Sequence, residues 1–157
     1  MEKTYAFYGW ETADAAPADS AFAALRDPRG LYDALYALWS RDTCAPRLRE
    51  KWSPDNPTLG QCSITAFLAQ DIFGGKVFGV PLPDGNFHCY NVVGGCVFDL
   101  TSEQFLPEKL AYDGNPEQLR EVHFAKEEKR RRYETLRARL CAALDCASKK
   151  ENLRQTH

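Results

Sequence analysis

The chain has 157 residues, about the length of one domain, and its 44% hydrophobic and 27% charged residues are close to globular averages, which excludes a mainly disordered or collagen-like protein. A net charge of −2 gives no general attraction to nucleic acid or to an anionic membrane. No run approaches the ~20 apolar residues that span a bilayer, and the N-terminus lacks the residue order of a signal peptide. The sequence therefore predicts a soluble cytoplasmic protein whose partners include neither nucleic acid nor a membrane.

Residues 1–29 are predicted to be an N-terminal extension with some mobility, because residues 12–21 are rich in Ala and Asp and offer little to a core. We expect residues 30–148 to form a single α+β domain and residues 149–157 to form a C-terminal tail. Near the start of the extension, four aromatic residues are compatible with a short strand: Tyr5, Phe7, Tyr8 and Trp10.

The helical spacing of apolar residues predicts an amphipathic helix over residues 31–39, after a break at residues 28–30. A polar link with several prolines follows at residues 41–60 and carries Trp52. Residues 62–73 are apolar on almost every side and are followed by two glycines, which is typical of a central buried helix.

Three short segments after this helix predict a small antiparallel sheet. Residues 76–80 and 86–93 are rich in β-branched and aromatic residues, and a Pro-Asp-Gly turn separates them. Gly94-Gly95 then favours a tight hairpin with residues 96–100 as the return strand. A highly charged segment with one apolar face, residues 126–147, predicts a long C-terminal helix.

A cysteine can form a disulfide, bind a metal, pack in the core or act as a nucleophile. Without an export signal, all six thiols are expected to stay reduced. The chain has no Cys-x-x-Cys pair and only three histidines, so we predict no metal site. Cys89 and Cys96 are interpreted as small apolar fillers on one face of the hairpin.

Cys62 is the candidate nucleophile because it begins the predicted central helix. Unpaired N–H groups and the positive end of the helix dipole lower the pKa of a thiol at that position. Gly60 leaves room for a substrate backbone, and the N–H of Cys62 is suited to stabilising an oxyanion. A lone cysteine in such a helix is more often simply part of the core, so the catalytic interpretation requires a base nearby.

His88 is the candidate base, and Asp99 is its candidate partner. With Gly94-Gly95 at the centre of the turn, Val93 pairs with Cys96, and His88 and Asp99 become diagonal neighbours on one face. A carboxylate at that separation can fix the tautomer of the imidazole. A three-residue loop without a bulge would separate the two side chains, so the prediction depends on the register.

Three further residues have to be assigned either a role in the site or a structural role. Gln61, beside the cysteine, is a candidate contact for an oxyanion and for the substrate. Trp52 is a candidate substrate contact at the rim of a cleft, and covering the core is the alternative. His123 has no acidic or thiol partner at a diagnostic spacing, so we interpret it as a surface or capping residue.

Several motifs in residues 39–105 occur together: Trp-Ser-x-Asp-Thr, Trp52, Pro-x-x-Gly-Gln-Cys62, His88 and Asp99-Leu-Thr-x-x-Gln-Phe. This set resembles the small bacterial YunG-like family, except that Cys89 stands where the family pattern leads us to expect Tyr. The family is essentially uncharacterised, so the resemblance implies little about a substrate. Its Cys, His, Asp order is similar to that of papain-like and transglutaminase-like folds, in which a Cys on a central helix faces His and Asp on a sheet.

The leading hypothesis from the sequence is cysteine-dependent acyl transfer, without a cofactor, on an amide, ester or thioester of a small molecule or peptide. Cys62 would attack the carbonyl, His88 would shuttle the proton, and Asp99 would orient His88. The alternative is a non-catalytic module that keeps such a pocket and binds a peptide or small ligand. A third hypothesis is a scaffold that binds a protein partner through the C-terminal helix.

Overall fold

The computed structural model describes residues 3–155, with side chains described as far as residue 145. Within that range the main elements are four helices and three strands, joined by short 3₁₀ turns: α1 Pro28–Tyr36, α2 Cys62–Phe73, β1 Lys76–Pro81, β2 Phe87–Val93, β3 Cys96–Phe98, α3 Arg120–Phe124 and α4 Glu127–Gln155. The chain is therefore an α+β protein with a small antiparallel sheet and a long C-terminal helix, as predicted.

Helix α2 is the centre of the fold, and its bounds are the predicted ones. It has no polar face, because nine of its 12 residues are buried. Its first turn receives no side-chain cap from Gln61. Cys62 therefore lies at a helix start whose backbone N–H groups are left for other partners.

The sheet has the order β1-β2-β3 with antiparallel pairing throughout. Val93 pairs with Cys96 across the turn, which confirms the register predicted from Gly94-Gly95. Strand β3 ends at Phe98, two residues earlier than predicted, because Asp99 turns away to donate its N–H to Tyr8 O at 3.0 Å. Asp99 therefore stands just beyond the sheet.

Helix α1 begins three residues before the predicted position. The Asp27 carboxylate accepts hydrogen bonds from the N–H groups of Arg29 and Gly30, and Pro28 occupies the first helical position. These are the standard requirements of a helix start, because an N-cap side chain satisfies free N–H groups and proline has none to satisfy. The predicted break at residues 28–30 is thus the first turn of the helix.

The N-terminal segment packs against the core and does not form the predicted strand. Phe7 is completely buried beside Tyr32, and Tyr8 makes only an isolated bridge with Asp99. Ala13 is also buried, so the Ala- and Asp-rich stretch contributes to the core more than its composition suggests. The division into extension, domain and tail stays a prediction, and residues 156 and 157 of the predicted tail lie outside the described part of the chain.

Helix α4 covers α2 with the predicted apolar face, of which Tyr133, Leu136 and Leu140 are buried. Arg120 adds to this contact, because its guanidinium binds Asp71 of α2 at 2.6 Å and lies over three aromatic rings, those of Phe67, Phe124 and Tyr133. None of the helices in the described range is long and apolar enough to cross a membrane.

Candidate functional site

Cys62 is the first residue of α2, and its half-buried thiol lies 3.8 Å from the carbonyl oxygen of Phe87 in β2. The chain reaches this position through Gly60, which has a φ of +72°. A Cβ at residue 60 would lie 2.4 Å from Cys44 Sγ and 2.9 Å from Ala45 N. Only glycine fits this combination of conformation and close contact, so Gly60 fixes how the loop delivers the thiol.

His88 and Asp99 form a buried pair next to this thiol. His88 Nε2 lies 2.6 Å from Asp99 Oδ2, and both side chains are 1% exposed. The Asp99 carboxylate also accepts the Tyr112 hydroxyl at 2.7 Å and the Thr101 N–H at 3.2 Å. The edge of the His88 ring packs against Phe105 at a centroid distance of 4.6 Å. These contacts fix both members of the pair.

The pKa of the Cys62 thiol is lowered well below its usual range. The largest cause is a hydrogen bond from the Cys89 thiol, which outweighs the opposing effect of burial, and a hydrogen bond and the positive charge of His88 lower it further. The backbone N–H of Cys89 lowers this pKa as well. Each contact favours the thiolate because each places a donor or a positive charge against it.

His88 is the matching cation. Burial by itself disfavours the charged ring, but the charge and hydrogen bond of Asp99, together with the contact to Cys62, raise the pKa of His88 to about 10. Both pKa shifts favour a thiolate and an imidazolium held by a carboxylate over the neutral pair. The structure thus places the Cys62 thiol beside the hydrogen-bonded pair of His88 and Asp99.

Cys89 is buried in the core as predicted, and it also contacts the nucleophile candidate. Its hydrogen bond to Cys62 and its burial raise the pKa of the Cys89 thiol well above its usual range. Cys89 therefore remains a neutral S–H donor when Cys62 is ionised. The sequence interpretation of Cys89 as a small apolar filler missed this role.

A cleft of about 500 Å³ opens at the thiol and is lined by Cys62, His88 and Gln104, among others. Its far side is formed by α3 and α4, which contribute His123 and Lys129. Lys129 Nζ donates to His123 Nδ1 at 2.9 Å, and His123 Nε2 donates to Gln118 Oε1 at 2.9 Å. Burial and the charge of Lys129 lower the pKa of His123 to about 4, so its ring is neutral and accepts this bond.

The two predicted substrate contacts lie away from this cleft. Gln61 is completely buried and turns inward, where its amide donates to Ser40 O at 3.0 Å. The indole of Trp52 donates to Pro57 O at 3.1 Å and so stabilises the loop before Cys62. Neither side chain lines the cleft, because each has a backbone partner elsewhere. His123, interpreted as a surface or capping residue, does line it.

Gln104 is a site residue that the sequence argument did not single out. Its amide donates to Thr58 O at 3.1 Å and to Thr101 O at 3.0 Å, and its carbonyl accepts from Gly60 N at 3.4 Å. It thereby ties the loop before Cys62 to the loop after Asp99. Its place in the Asp99-Leu-Thr-x-x-Gln-Phe motif was the available signal.

Within the described side chains, no three His, Cys, Asp or Glu residues are grouped so as to hold a metal ion. The structural class is therefore an α+β protein in which a thiol at the start of a central helix lies beside a buried His–Asp pair. The chain belongs to the YunG protein family, whose family model matches residues 27–145. This confirms the family resemblance read from the sequence.

Membership of this family does not by itself indicate a function. The chain is 43% identical over 67 residues to the "Uncharacterized protein YunG" of Bacillus subtilis (strain 168). The match covers 43% of this chain and 53% of that protein, so the chain spans about half the length of this relative. No solved structure matches the chain.

Proposed function

We propose that this protein is a cysteine-dependent acyl-transfer enzyme, with Cys62 as the nucleophile, His88 as the acid and base, and Asp99 as the residue that orients His88. The observation that carries the proposal is that the Cys62 thiol and His88 line one cleft, with His88 Nε2 held 2.6 Å from Asp99 Oδ2. A thiolate paired with an imidazolium is a nucleophile that needs no further activation.

In the first half of the proposed reaction, the Cys62 thiolate attacks the carbonyl carbon and the C=O electron pair moves onto oxygen. The uncapped N–H groups at the start of α2 are placed to stabilise this oxyanion. The adduct then expels an amine, alcohol or thiol, which takes a proton from His88. The product is a thioester on Cys62.

In the second half, neutral His88 accepts a proton from water or another acceptor, which attacks the thioester. The acyl group leaves with the acceptor, and the thiolate–imidazolium pair is restored. Hydrolysis and transfer differ only in the acceptor. The order of the three groups, with a helix-start Cys facing a His from a strand, is similar to that of papain-like and transglutaminase-like enzymes, and this likeness of arrangement supports the reaction class.

The direct test is turnover of a panel of p-nitrophenyl esters, thioesters and peptide amides by the parent protein and by Cys62→Ala. We expect acyl-enzyme formation at Cys62, detected by intact mass, and loss of turnover in the variant. Cys141→Ala is the matched control, because it removes a half-buried thiol outside the cleft and should keep full turnover. Full turnover by Cys62→Ala on a genuine substrate would contradict the proposal.

A second candidate function is a binding module that holds a peptide or small ligand in the same cleft without turning it over. The observation that favours it is that His88 is 1% exposed and its Nε2 lies 2.6 Å from Asp99 Oδ2, because a buried imidazolium held by a carboxylate gives up its proton to a leaving group less readily. Ligands that stabilise the fold but leave no acyl group on Cys62 would support this candidate.

A further inference from the structure

The cleft carries more positive than negative charge, although the whole chain has a net charge of −2. Its lining includes one carboxylate, Glu128, and four cationic side chains: Arg47, Lys126, Lys129 and Arg132. Arg47 is offset by Asp84 at 3.2 Å, and Arg132 is paired with Glu128. The uncompensated positive charge in the cleft therefore comes from the two lysines.

Lys129 is the better placed of these two lysines to contact a ligand. It is half-buried, whereas Lys126 is exposed, and its ammonium group is held by the neutral ring of His123. Among the described residues Lys129 forms no salt bridge. Burial lowers the pKa of Lys129, and the negative charge of Cys62 opposes this shift. A half-buried ammonium with only a neutral partner retains the capacity to bind an anion.

We propose that Lys129 binds a carboxylate on the acyl donor, so that the preferred substrates of the site are negatively charged. This inference rests on the proposed function, because it assigns a substrate class to the same thiol. The negative charge of the Cys62 thiolate already has the His88 imidazolium as its partner. Lys129 is therefore left to interact with an incoming anion, and the lining arginines have carboxylate partners of their own.

A pair of alkylating reagents tests this without a known substrate. Iodoacetate and iodoacetamide both form a C–S bond with a thiolate and release iodide, but only iodoacetate carries a carboxylate. The measurement is the ratio of the two second-order rate constants at Cys62, by peptide mass spectrometry. Half-buried Cys141, which lies outside the cleft, gives the reference ratio in the same digest.

We expect the iodoacetate to iodoacetamide ratio at Cys62 to fall about tenfold in Lys129→Gln, because a screened ion pair of this kind contributes about 1.4 kcal/mol. Lys129→Arg should keep the ratio within about twofold of the parent, since it keeps the charge. Lys109→Gln, at an exposed lysine outside the cleft, should leave it unchanged. Cys44, which is completely buried, should stay unlabelled in every folded variant.

The outcomes separate the two proposals. Fast labelling by both reagents with the same ratio in the parent and in Lys129→Gln would overturn the inference and leave the proposed function standing. Slow labelling by both reagents at neutral pH would overturn the proposed function itself.

A measurement on the parent protein keeps the inference testable even if Lys129→Gln does not fold. Glutarate should protect Cys62 from iodoacetamide at concentrations at which neutral glutaramide does not. Equal protection by the two compounds, or protection by neither, would also overturn the inference.

Discussion

His88 Nε2 and Asp99 Oδ2 lie 2.6 Å apart in a part of the protein that excludes water almost completely. Because Nε2 faces the carboxylate, Nδ1 is the ring nitrogen that remains for other partners. The orientation of the imidazole is therefore set by Asp99.

The alkylation rate of Cys62 should reach its plateau well below pH 8.5. An ordinary thiol is only half ionised at about pH 8.5. In His88→Ala the rise should move to higher pH, because the variant loses a hydrogen bond and a positive charge beside the sulfur. Iodoacetamide labelling from about pH 4 to 10, followed by peptide mass spectrometry, measures both profiles.

Half-buried Cys96 serves as the internal control for this experiment, because its profile should be the same in both proteins. An unchanged Cys62 profile in His88→Ala would show that His88 does not activate the thiol.

Asp99→Asn should lower the free energy of unfolding by about 3 kcal/mol near pH 6, since it removes one partner of a buried charge pair. The His88 pKa is raised from 6.5 to about 10, so its contribution to stability is complete below pH 6.5 and is lost as the pH rises through 10. The difference in the free energy of unfolding between the parent and Asp99→Asn should therefore narrow toward pH 10.

Urea unfolding at several pH values measures this difference. Tyr112→Phe is the control variant, because it removes a hydroxyl that donates to the same carboxylate and keeps the charge pair. A difference that is constant with pH would argue against an imidazolium in the folded protein.

Cys89→Ala should raise the pKa of Cys62, because one hydrogen bond to the thiolate is lost. Cys89→Ser should keep the low value, since the hydroxyl remains a donor of similar size. The midpoint of Cys62 alkylation against pH distinguishes the two variants, and equal midpoints would mean that the Cys89 side chain does not act as a donor.

Gly60→Ala should destabilise the fold by about 2 to 4 kcal/mol, because the new methyl group meets Cys44 Sγ and Ala45 N. Gly114→Ala is the matched control: its φ of +71° is almost the same, but nothing lies within 4 Å of the added atom. Gly114→Ala should lower the free energy of unfolding by only about 1 kcal/mol, through backbone strain. Chemical denaturation gives both values, and equal losses would contradict the steric argument.

The local features of the site were accessible from the sequence because they depend on short segments. The all-round apolar pattern gave the correct bounds of α2 and so placed Cys62 at a helix start. The two glycines at positions 94 and 95 gave the correct hairpin register, in which Val93 pairs with Cys96. Each of these inferences used helix or hairpin geometry within a few residues.

The missed features depend on contacts between distant parts of the chain. Gln104 reaches Thr58 across 46 positions, and Lys129 enters the cleft from a helix whose docking the sequence pattern cannot orient. Gln61 was expected in the cleft because of its neighbour in sequence, yet successive residues at a helix start point in different directions. Side-chain direction at such a junction is decided by tertiary packing.

Helix α4 brings Lys129 to the cleft, whereas Cys62, His88 and Asp99 all lie within residues 62–99. The reacting groups and the group proposed to choose the ligand thus belong to separate stretches of chain that meet only through packing. Divergence along the cleft-facing side of α4 can therefore exchange one ligand for another while the thiol and its partners stay the same. Such a layout allows specificity to evolve independently of chemistry.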